Sequence, residues 1–279
     1  MGKIYLVPTP IGNLGDITLR ALEVLKSVDI VAAEDTRQSL KLLNHFEIKK
    51  PLISYHMHNE QGKGEELIEM AKGGKNIAVV TDAGTPGVSD PGEIVVRKAI
   101  DNGVEIEVLP GATAFTTALV YSGLSTNQFM FKGFYPREKK ERIAFLENIK
   151  DRQETIILYE SPYRIIDCLG SIKENLGNRR IAVCRELTKL HEQIVRGTIE
   201  EVINYFIENT PKGEFVLVLE GKTKEEIEIE KKSEWEDLTI EEHILKYMNS
   251  GESKKNAMKL VAKDRGISKS EVYKYSLEL

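Results

Sequence analysis

Asp82-Ala-Gly-Thr-Pro-Gly-Val-Ser-Asp-Pro-Gly92 follows the apolar run Asn76-Ile-Ala-Val-Val-Thr81 and precedes the apolar-periodic segment Glu93 to Ile100. A short apolar run bounded by turn residues reads as a buried strand and the periodic segment as a helix, so the quoted stretch is a strand-to-helix loop. Gly84, Gly87 and Gly92 permit backbone shapes closed to other residues, while Pro86 and Pro91 fix φ, which makes the loop shaped rather than slack. Asp90-Pro91-Gly92-Glu93 reads as a helix start, with Asp90 as N-cap acceptor and Pro91 at the first helical position. An ordinary connection of this type needs only a few residues. In α/β sheets ligands sit outside the carboxyl ends of the strands, where this loop would lie, so it is the first candidate for a binding site.

The pattern around it repeats. Lys3 to Thr9, Asp29 to Ala33, Leu52 to Tyr55, Asn76 to Thr81 and Glu105 to Leu109 read as short strands. They alternate with helical stretches at Ile17 to Ser27, Gln38 to His45, Gly62 to Lys72, Glu93 to Asn102 and Ala112 to Ser122. On the first helix, Leu19, Leu22 and Leu25 recur about once per turn and predict a core-facing stripe. Such alternation predicts a mostly parallel sheet with helices on both faces. The pattern pauses near Gly123 to Gln128 and restarts with strands at Phe129 to Tyr135, Glu154 to Tyr159, Arg180 to Arg185, Gln193 to Gly197 and Glu214 to Leu219. Two of these follow one another after a short link, so the second sheet is expected to be mixed. The expected organisation is an N-terminal α/β domain over 1–123, a second α/β domain over 124–221, a linker over 222–238 and a helical extension over 239–279.

The linker is expected from charge: Lys222 to Glu242 holds nine acids against four lysines, with few apolar residues before Trp235, the composition of a solvated segment. Beyond it, Thr239-Ile-Glu-Glu242 and Ser268-Lys-Ser-Glu271 match the capping-box pattern. Between them, Ser253 opens a helix that Gly266 ends, with Ala257, Leu260 and Val261 on one side. Three short helices with a glycine-containing turn resemble a helix-turn-helix module. Ser253 to Tyr275 carries seven Lys or Arg against two acids, which makes Lys254 and Lys255 candidates for RNA contact.

Length and composition bound the rest. The 279 residues suit two ordinary domains plus an extra piece. No apolar run approaches the roughly 20 residues of a membrane span. The Ile4 to Val7 run meets Pro8 and Pro10 and is a strand, not a signal-peptide core. Cys168 and Cys184 form no CxxC pair, so neither a disulfide framework nor a zinc site is expected, and a reducing cytoplasm follows. His56 and His58 flank Met57 with no third ligand in view, so no metal is expected. The net charge of −5 argues against a protein that coats nucleic acid over its whole surface and leaves room for a local basic patch.

Pro8-Thr-Pro-Ile-Gly-Asn-Leu-Gly-Asp16 joins the first strand to the first helix. Only Gly12 and Gly15 are glycine there, so the dinucleotide fingerprint is absent and an NAD reading ranks last. Pro110-Gly-Ala-Thr-Ala114 is a third small-residue loop at a strand end. Three such loops are expected to converge on one sheet edge.

Six segments in order, Ile4-Tyr-Leu-Val-Pro-Thr-Pro-Ile-Gly-Asn-Leu-Gly-Asp-Ile-Thr18, Ala33-Glu-Asp-Thr-Arg37, Asp82-Ala-Gly-Thr-Pro86, Pro110-Gly-Ala-Thr-Ala114, Tyr159-Glu-Ser-Pro-Tyr-Arg164 and Arg185-Glu-Leu-Thr-Lys189, resemble the ribosomal RNA small subunit methyltransferase I family. That family is a branch of the tetrapyrrole methylase superfamily. The resemblance runs from about residue 3 to 221, and the tail resembles the family's helix-turn-helix extension.

The resemblance implies two α/β domains with S-adenosyl-L-methionine (SAM) in the cleft between them. It also implies transfer of a methyl group to the ribose 2′-oxygen of a cytidine in the decoding region of 16S rRNA, and a homodimer. It places SAM contacts at Pro10, Ile11, Gly12, Asp82, Gly84, Thr85, Thr113 and Ala114, with Glu160 and Leu187 closing the site from the second domain. Pro8-Thr-Pro10 stands where the tetrapyrrole enzymes proper carry a glycine-rich run, which disfavours a porphyrin-like substrate.

Methyl transfer from a sulfonium needs alignment above all. A ribose hydroxyl is also a poor nucleophile until a base accepts its proton, and Glu34, Asp35, Glu160 and Glu186 are unranked candidates for that role. Arg37, Arg164, Arg185 and Lys189 stand near predicted strand ends, where cations could hold RNA phosphates or pair with neighbouring carboxylates. Tyr121, Tyr135, Tyr159 and Phe134 could offer stacking faces for bases. Two other readings are a methyltransferase of this fold acting on a small molecule such as a corrin precursor, and a non-catalytic RNA-binding assembly protein. SAM binding separates the last from the others.

Overall fold

The structure is a computed structural model that describes residues 1–276. Five short strands, β1 (Lys3–Leu6), β2 (Ile30–Ala33), β3 (Leu52–Ser54), β4 (Ile77–Val80) and β5 (Glu105–Val108), form one sheet in the order β3-β2-β4-β1-β5. Every pairing in it is parallel, with Ile4 opposite Ile77 and Ile30 opposite Ile77. Parallel neighbours require crossovers, and α1 (Leu19–Ser27), α2 (Thr36–His45), α3 (Glu60–Lys72) and α4 (Glu93–Asp101) supply them.

Because side chains alternate along a strand, β4 serves both faces. Ile77 and Val79 pack under α3 and α4 with Leu67, Ile68, Val95 and Ala99. Ala78 and Val80 pack under α1 and α2 with Ala21, Leu25 and Leu43. The stripe expected on the first helix is corrected here: Leu19 is 81% exposed, and Ala21 and Leu25, one turn apart, carry the burial. Thr18 caps this helix by accepting from Ala21 N–H, which turns the Leu19 position outward.

The second sheet comprises β6 (Phe129–Phe134), β7 (Thr155–Glu160), β8 (Arg180–Arg185), β9 (Gln193–Thr198) and β10 (Phe215–Leu219), in the order β6-β7-β10-β8-β9. It is mixed: β6 and β7 are parallel, and the remaining pairs are antiparallel. One face is covered by α6 (Lys139–Ile149), α7 (Ile165–Leu176) and α8 (Ile199–Glu208), whose Leu146, Leu169, Ile172, Val202 and Phe206 close over Ile156, Leu158, Val183 and Leu217. The opposite face is covered by α5 (Ala114–Ser122), through Ala118 and Leu119 against Ile157, Ala182, Cys184 and Val218. By side-chain packing α5 therefore belongs to the second sheet, although the boundary expected after residue 123 assigned it to the first domain. Its sequence pause at Gly123 marks a left-handed helix end, a local backbone signal that says nothing about which sheet the preceding helix covers.

The chain divides into two compact units, Met1–Gly221, which holds both sheets, and Lys222–Leu279. In the second unit the expected solvated linker is also corrected: Lys224–Ser233 is a helix, α9. Thr223 accepts from Glu226 N–H while the Glu226 carboxylate accepts from Thr223 N–H, a reciprocal cap that stabilises a helix with little apolar surface. Three further helices follow, α10 (Ile240–Asn249), α11 (Lys254–Arg265) and α12 (Lys269–Tyr275). They bury Ile244, Ala257, Val261 and Val272 in a small core of their own. Thr239 makes the full capping box and Ser253 caps α11. Gly266 ends α11 in the left-handed region at φ 63°. No helix among the described residues is long and apolar enough to cross a membrane.

Candidate functional site

The three small-residue loops meet at the carboxyl end of the first sheet. Thr9 and Gly84 exchange backbone hydrogen bonds of 2.9 and 3.0 Å, and Thr9 Oγ1 donates to the Thr81 carbonyl at 3.1 Å. Thr85 Oγ1 donates to the Ala112 carbonyl at 3.2 Å, tying the second loop to the third. Gly111 lies so close to the Pro8 ring that a Cβ there would stand 2.7 Å from Pro8 Cγ. The facing wall comes from the second sheet. Because β10 runs antiparallel to β7, with Phe215 opposite Glu160, the start of one strand stands beside the end of the other.

Between the walls lies a cleft of about 420 Å³. Ile11, Glu34, Asp82–Thr85, Val88–Asp90 and Thr113–Phe115 line one side, and Phe134, Tyr159–Pro162 and Gly213–Val216 the other. Of the ten expected SAM contacts, Ile11, Asp82, Gly84, Thr85, Thr113, Ala114 and Glu160 are on this wall. Pro10, Gly12 and Leu187 are not. Gly12 and Leu187 instead meet each other where the first loop touches the loop after β8: a Cβ on Gly12 would stand 2.9 Å from the Leu187 carbonyl oxygen and 2.8 Å from Thr188 Oγ1. These residues set the spacing of the two walls.

The electrostatics of the cleft are one-sided. Glu34, Asp82, Asp90, Glu160 and Glu214 line it, with no Lys, Arg or His among the lining residues. Burial raises Glu34 and Asp82 above the usual carboxylate range, although Glu34 accepts from Asp82 N–H at 3.3 Å and Asp82 from Asp35 N–H at 3.1 Å. Asp90 is pushed up to about 7, first by burial and then by the charges of Glu34 and Asp82. Burial raises Tyr159 to about 12.

Asp90 is also the clearest correction to the sequence reading. It caps nothing: α4 opens at Glu93 with Gly92 as N-cap and no side-chain cap bond. Gly87 N–H instead donates to the Pro91 carbonyl at 3.2 Å, adding a turn that carries Asp90 into the cleft. The preceding Ser89 sits in the left-handed region at φ 63°, a conformation that costs energy in a non-glycine residue and clusters at functional sites. Glu186 and Thr188, on the loop after β8, have φ values of 50° and 66°.

The other expected base candidates are committed. Asp35 is chelated by Arg37, at 3.0 Å to Nε and 2.7 Å to Nη2, and these bonds hold it near 2. Glu186 is held low against its burial by Lys189 Nζ at 3.0 Å and Glu214 N–H at 2.9 Å. Glu160 accepts from Ser161 N–H at 2.7 Å and faces Arg164 at 3.3 Å, its side chain fully buried.

The expected RNA cations divide likewise. Arg164 is internal, donating to the carbonyls of Tyr135 and Pro136 at 3.0 and 2.6 Å. Arg185 Nε donates to the Lys212 carbonyl at 2.5 Å, and Lys189 bridges Glu186 and Glu214. Arg37 keeps 86% of its side chain exposed despite its partner. Lys254 and Lys255 open α11 in the separate unit. Of the aromatics, Phe134 and Tyr159 line the cleft, Tyr135 is buried, and Tyr121 donates to Glu192 at 3.1 Å. Among the described residues no group of three or more His, Cys, Asp or Glu is placed to hold a metal ion.

Comparison with known proteins fits this arrangement. A family model described as Tetrapyrrole (Corrin/Porphyrin) Methylases matches residues 3–203. "Ribosomal RNA small subunit methyltransferase I" of Bacillus subtilis (strain 168) is 52% identical over 273 residues, covering 98% of this chain and 93% of the relative. The chain belongs to the ribosomal RNA small subunit methyltransferase I family. A relative with the same description from Synechocystis sp. (strain ATCC 27184 / PCC 6803 / Kazusa) is 45% identical over all of this chain and 99% of its own. Another, from Thermotoga maritima, is 43% identical over 222 residues, which cover 80% of this chain and the whole of the relative. A solved diphthine synthase shares the fold, with a TM-score of 0.64 at 15% identity over 80% of this chain and 91% of its own. So does a uroporphyrin-III-C-methyltransferase from Thermus thermophilus, with a TM-score of 0.56 at 22% identity over 78% and 94%.

The methyl donor of this family member is SAM. The cleft suits it on two counts. Its volume lies within the range of roughly 300–1,000 Å³ usual for small-molecule sites. Its uncompensated carboxylates also complement a donor that carries a sulfonium and an ammonium group.

Proposed function

We propose that this protein methylates the ribose 2′-oxygen of a cytidine in the decoding region of 16S rRNA, working in the cytoplasm as a homodimer. The near full-length likeness to relatives described as ribosomal RNA small subunit methyltransferase I carries this reading. Bound SAM supplies a methyl group already activated by its sulfonium. The protein's part is to bind, orient and exclude water. Ile11, Gly84, Thr85, Thr113 and Ala114 would hold the donor from the first sheet, with Glu160 and the Gly213–Val216 segment opposite. Backbone approach is open at Gly84, whose φ of 82° turns the chain without a side chain in the way. Asp82 and Glu34, raised by burial, gain most from a cation set against them.

The target must reach this cleft with its phosphates outside, since five carboxylates line it. Unpaired, splayed nucleotides of the kind RNA-modifying enzymes recognise meet that demand. Arg37, exposed at the end of β2, is the cation best placed to meet a phosphate there. Lys254 and Lys255 on the helical extension are further candidates. Purified protein with radiolabelled SAM and small subunits from cells lacking the activity should label one ribose. Absence of label, or label on a base, overturns the reading.

A further inference from the structure

We propose that Asp90 accepts the proton of the target hydroxyl during methyl transfer, an inference that rests on the proposed reaction and assigns its base. Position comes first. Asp90 lines the cleft from the first sheet's longest loop, and that loop reaches the second sheet: Ser89 Oγ lies 3.5 Å from where a Cβ on Gly133 of β6 would stand. The groups facing Asp90 are Glu34 after β2, Asp82 after β4 and Tyr159 on β7. None is a cation, and among the described residues Asp90 has no hydrogen bond or ion pair. The strained Ser89 and the extra turn closed by Gly87 and Pro91 hold the carboxylate there instead of at the helix N-terminus. The other acids near the cleft are spoken for. Asp35 and Glu186 are locked by Arg37 and Lys189, Glu160 faces Arg164, and Glu34 accepts from Asp82 N–H.

The chemistry uses what distinguishes Asp90. As the ribose oxygen forms its bond to the methyl carbon, the carbon–sulfur bond breaks and its electron pair stays on sulfur. The O–H bond breaks and the proton passes to the Asp90 carboxylate. One positive and one negative charge disappear together, so a site that penalises isolated charge favours products. The same coupling acts earlier: a sulfonium placed in the cleft stabilises the Asp90 carboxylate, so donor binding ionises the base before the acceptor arrives. A base titrating near the working pH is also the most effective one.

Two measurements test this. The first needs no turnover: calorimetric titration of the protein with SAM at pH 7, in buffers of different ionisation enthalpy, reads protons released on binding. Wild type should release a fraction of a proton and Asp90→Asn none. The second is turnover at saturating SAM and subunits, where Asp90→Asn should lose roughly 100-fold or more and the acid limb of the pH–rate profile, while Asp90→Glu recovers part of both. Proton release that persists undiminished in Asp90→Asn, a wild type that releases no proton, or an Asp90→Asn enzyme within about tenfold of wild type with its acid limb intact would each overturn the assignment. Failure of wild type to label subunits would instead strike the substrate reading, and the proton-release experiment would still decide whether Asp90 answers the donor's charge.

Discussion

Gly12 gives the sharpest test of how the cleft is built. It stands outside the cleft lining, yet it is where the loop after β1 meets the loop after β8. A methyl group at this position would overlap Lys189 Cγ and stand 2.8 Å from Thr188 Oγ1 and 2.9 Å from the Leu187 carbonyl oxygen. Restoring ordinary contact at 3.4 Å requires the backbone at Leu187 to retreat by about half an ångström. Leu187 is 5% exposed and packed against Ala182 and Cys184, so the retreat disturbs a filled core. Overpacking of this kind costs ~1–3 kcal/mol. If the strain falls on the closed cleft, at about 1.4 kcal/mol per tenfold, SAM affinity drops roughly 5- to 150-fold. Calorimetric titration with SAM reads the affinity and thermal unfolding reads the remainder. A Gly12→Ala protein that binds SAM within twofold of wild type and melts at the same temperature refutes the claim that this contact spaces the walls.

Gly170, in the middle of α7, is the complementary case: nothing lies within 4 Å of its missing Cβ. Gly170→Ala should therefore stabilise by ~0.5–1 kcal/mol, raising the melting temperature by roughly 1–4 °C for a unit of this size, and an unchanged or lower value counts against it. Asp90 predicts a pH dependence of stability in the donor-free protein. Its folded pKa of about 7 lies above the unfolded value of ~3.9, so its contribution is complete below about pH 4 and is lost as pH rises through 7. Asp90→Asn should accordingly melt above wild type at pH 8 and level with it at pH 4; equal melting at both would show that the carboxylate is not desolvated. Arg265 donates to the carbonyls of Trp235, Leu238 and Thr239 and stacks over the Trp235 ring at 5.1 Å. Arg265→Ala should cost that unit ~3 kcal/mol or more, seen as an earlier unfolding transition in the fluorescence of the single tryptophan, with SAM binding retained; a coincident loss of SAM binding would refute the separation.

The near wall of the cleft is readable in the sequence because each of its loops carries its own punctuation. Pro8 and Pro10, Gly84 and Pro86, and Pro110 and Gly111 announce shaped turns at strand ends, and parallel topology alone brings such ends together. The far wall carries no such marks. Gly213–Val216 enters the cleft because β10 pairs antiparallel with β7, and strand direction is a tertiary fact that an apolar run such as Phe215-Val-Leu-Val-Leu219 does not encode locally. Asp90 misleads for the opposite reason. Its local signal, an acid before Pro-Gly-Glu, is a good cap by propensity, but Gly92 can adopt a φ of 152° and takes the N-cap place, leaving the carboxylate free for the cleft. Charge misleads in the extension, where the acids of Lys224–Ser233 read as solvation and two of them, Glu225 and Glu226, stand in the first turn of a helix, favoured by its dipole.

These charges also explain how an acidic protein handles a polyanion. An empty cleft walled by Glu34, Asp82 and Asp90 repels phosphate, and the cations around it are bound to neighbours: Lys189 to Glu186 and Glu214, Arg185 to the Lys212 carbonyl, Arg164 to Tyr135 and Pro136. Those partnerships fix the loops more than they attract RNA. Affinity for the subunit must then come from outside the cleft. The extension is suited to that task, since Ser253 to Tyr275 reverses the acidic bias of the segment before it. The Thermotoga maritima relative is matched along its whole length by 222 residues, the size of the unit Met1–Gly221, so the catalytic fold does not depend on such an extension. The division of labour follows from electrostatics: a cleft acidic enough to hold a cationic donor and tune a carboxylate base cannot also be the surface that gathers phosphates.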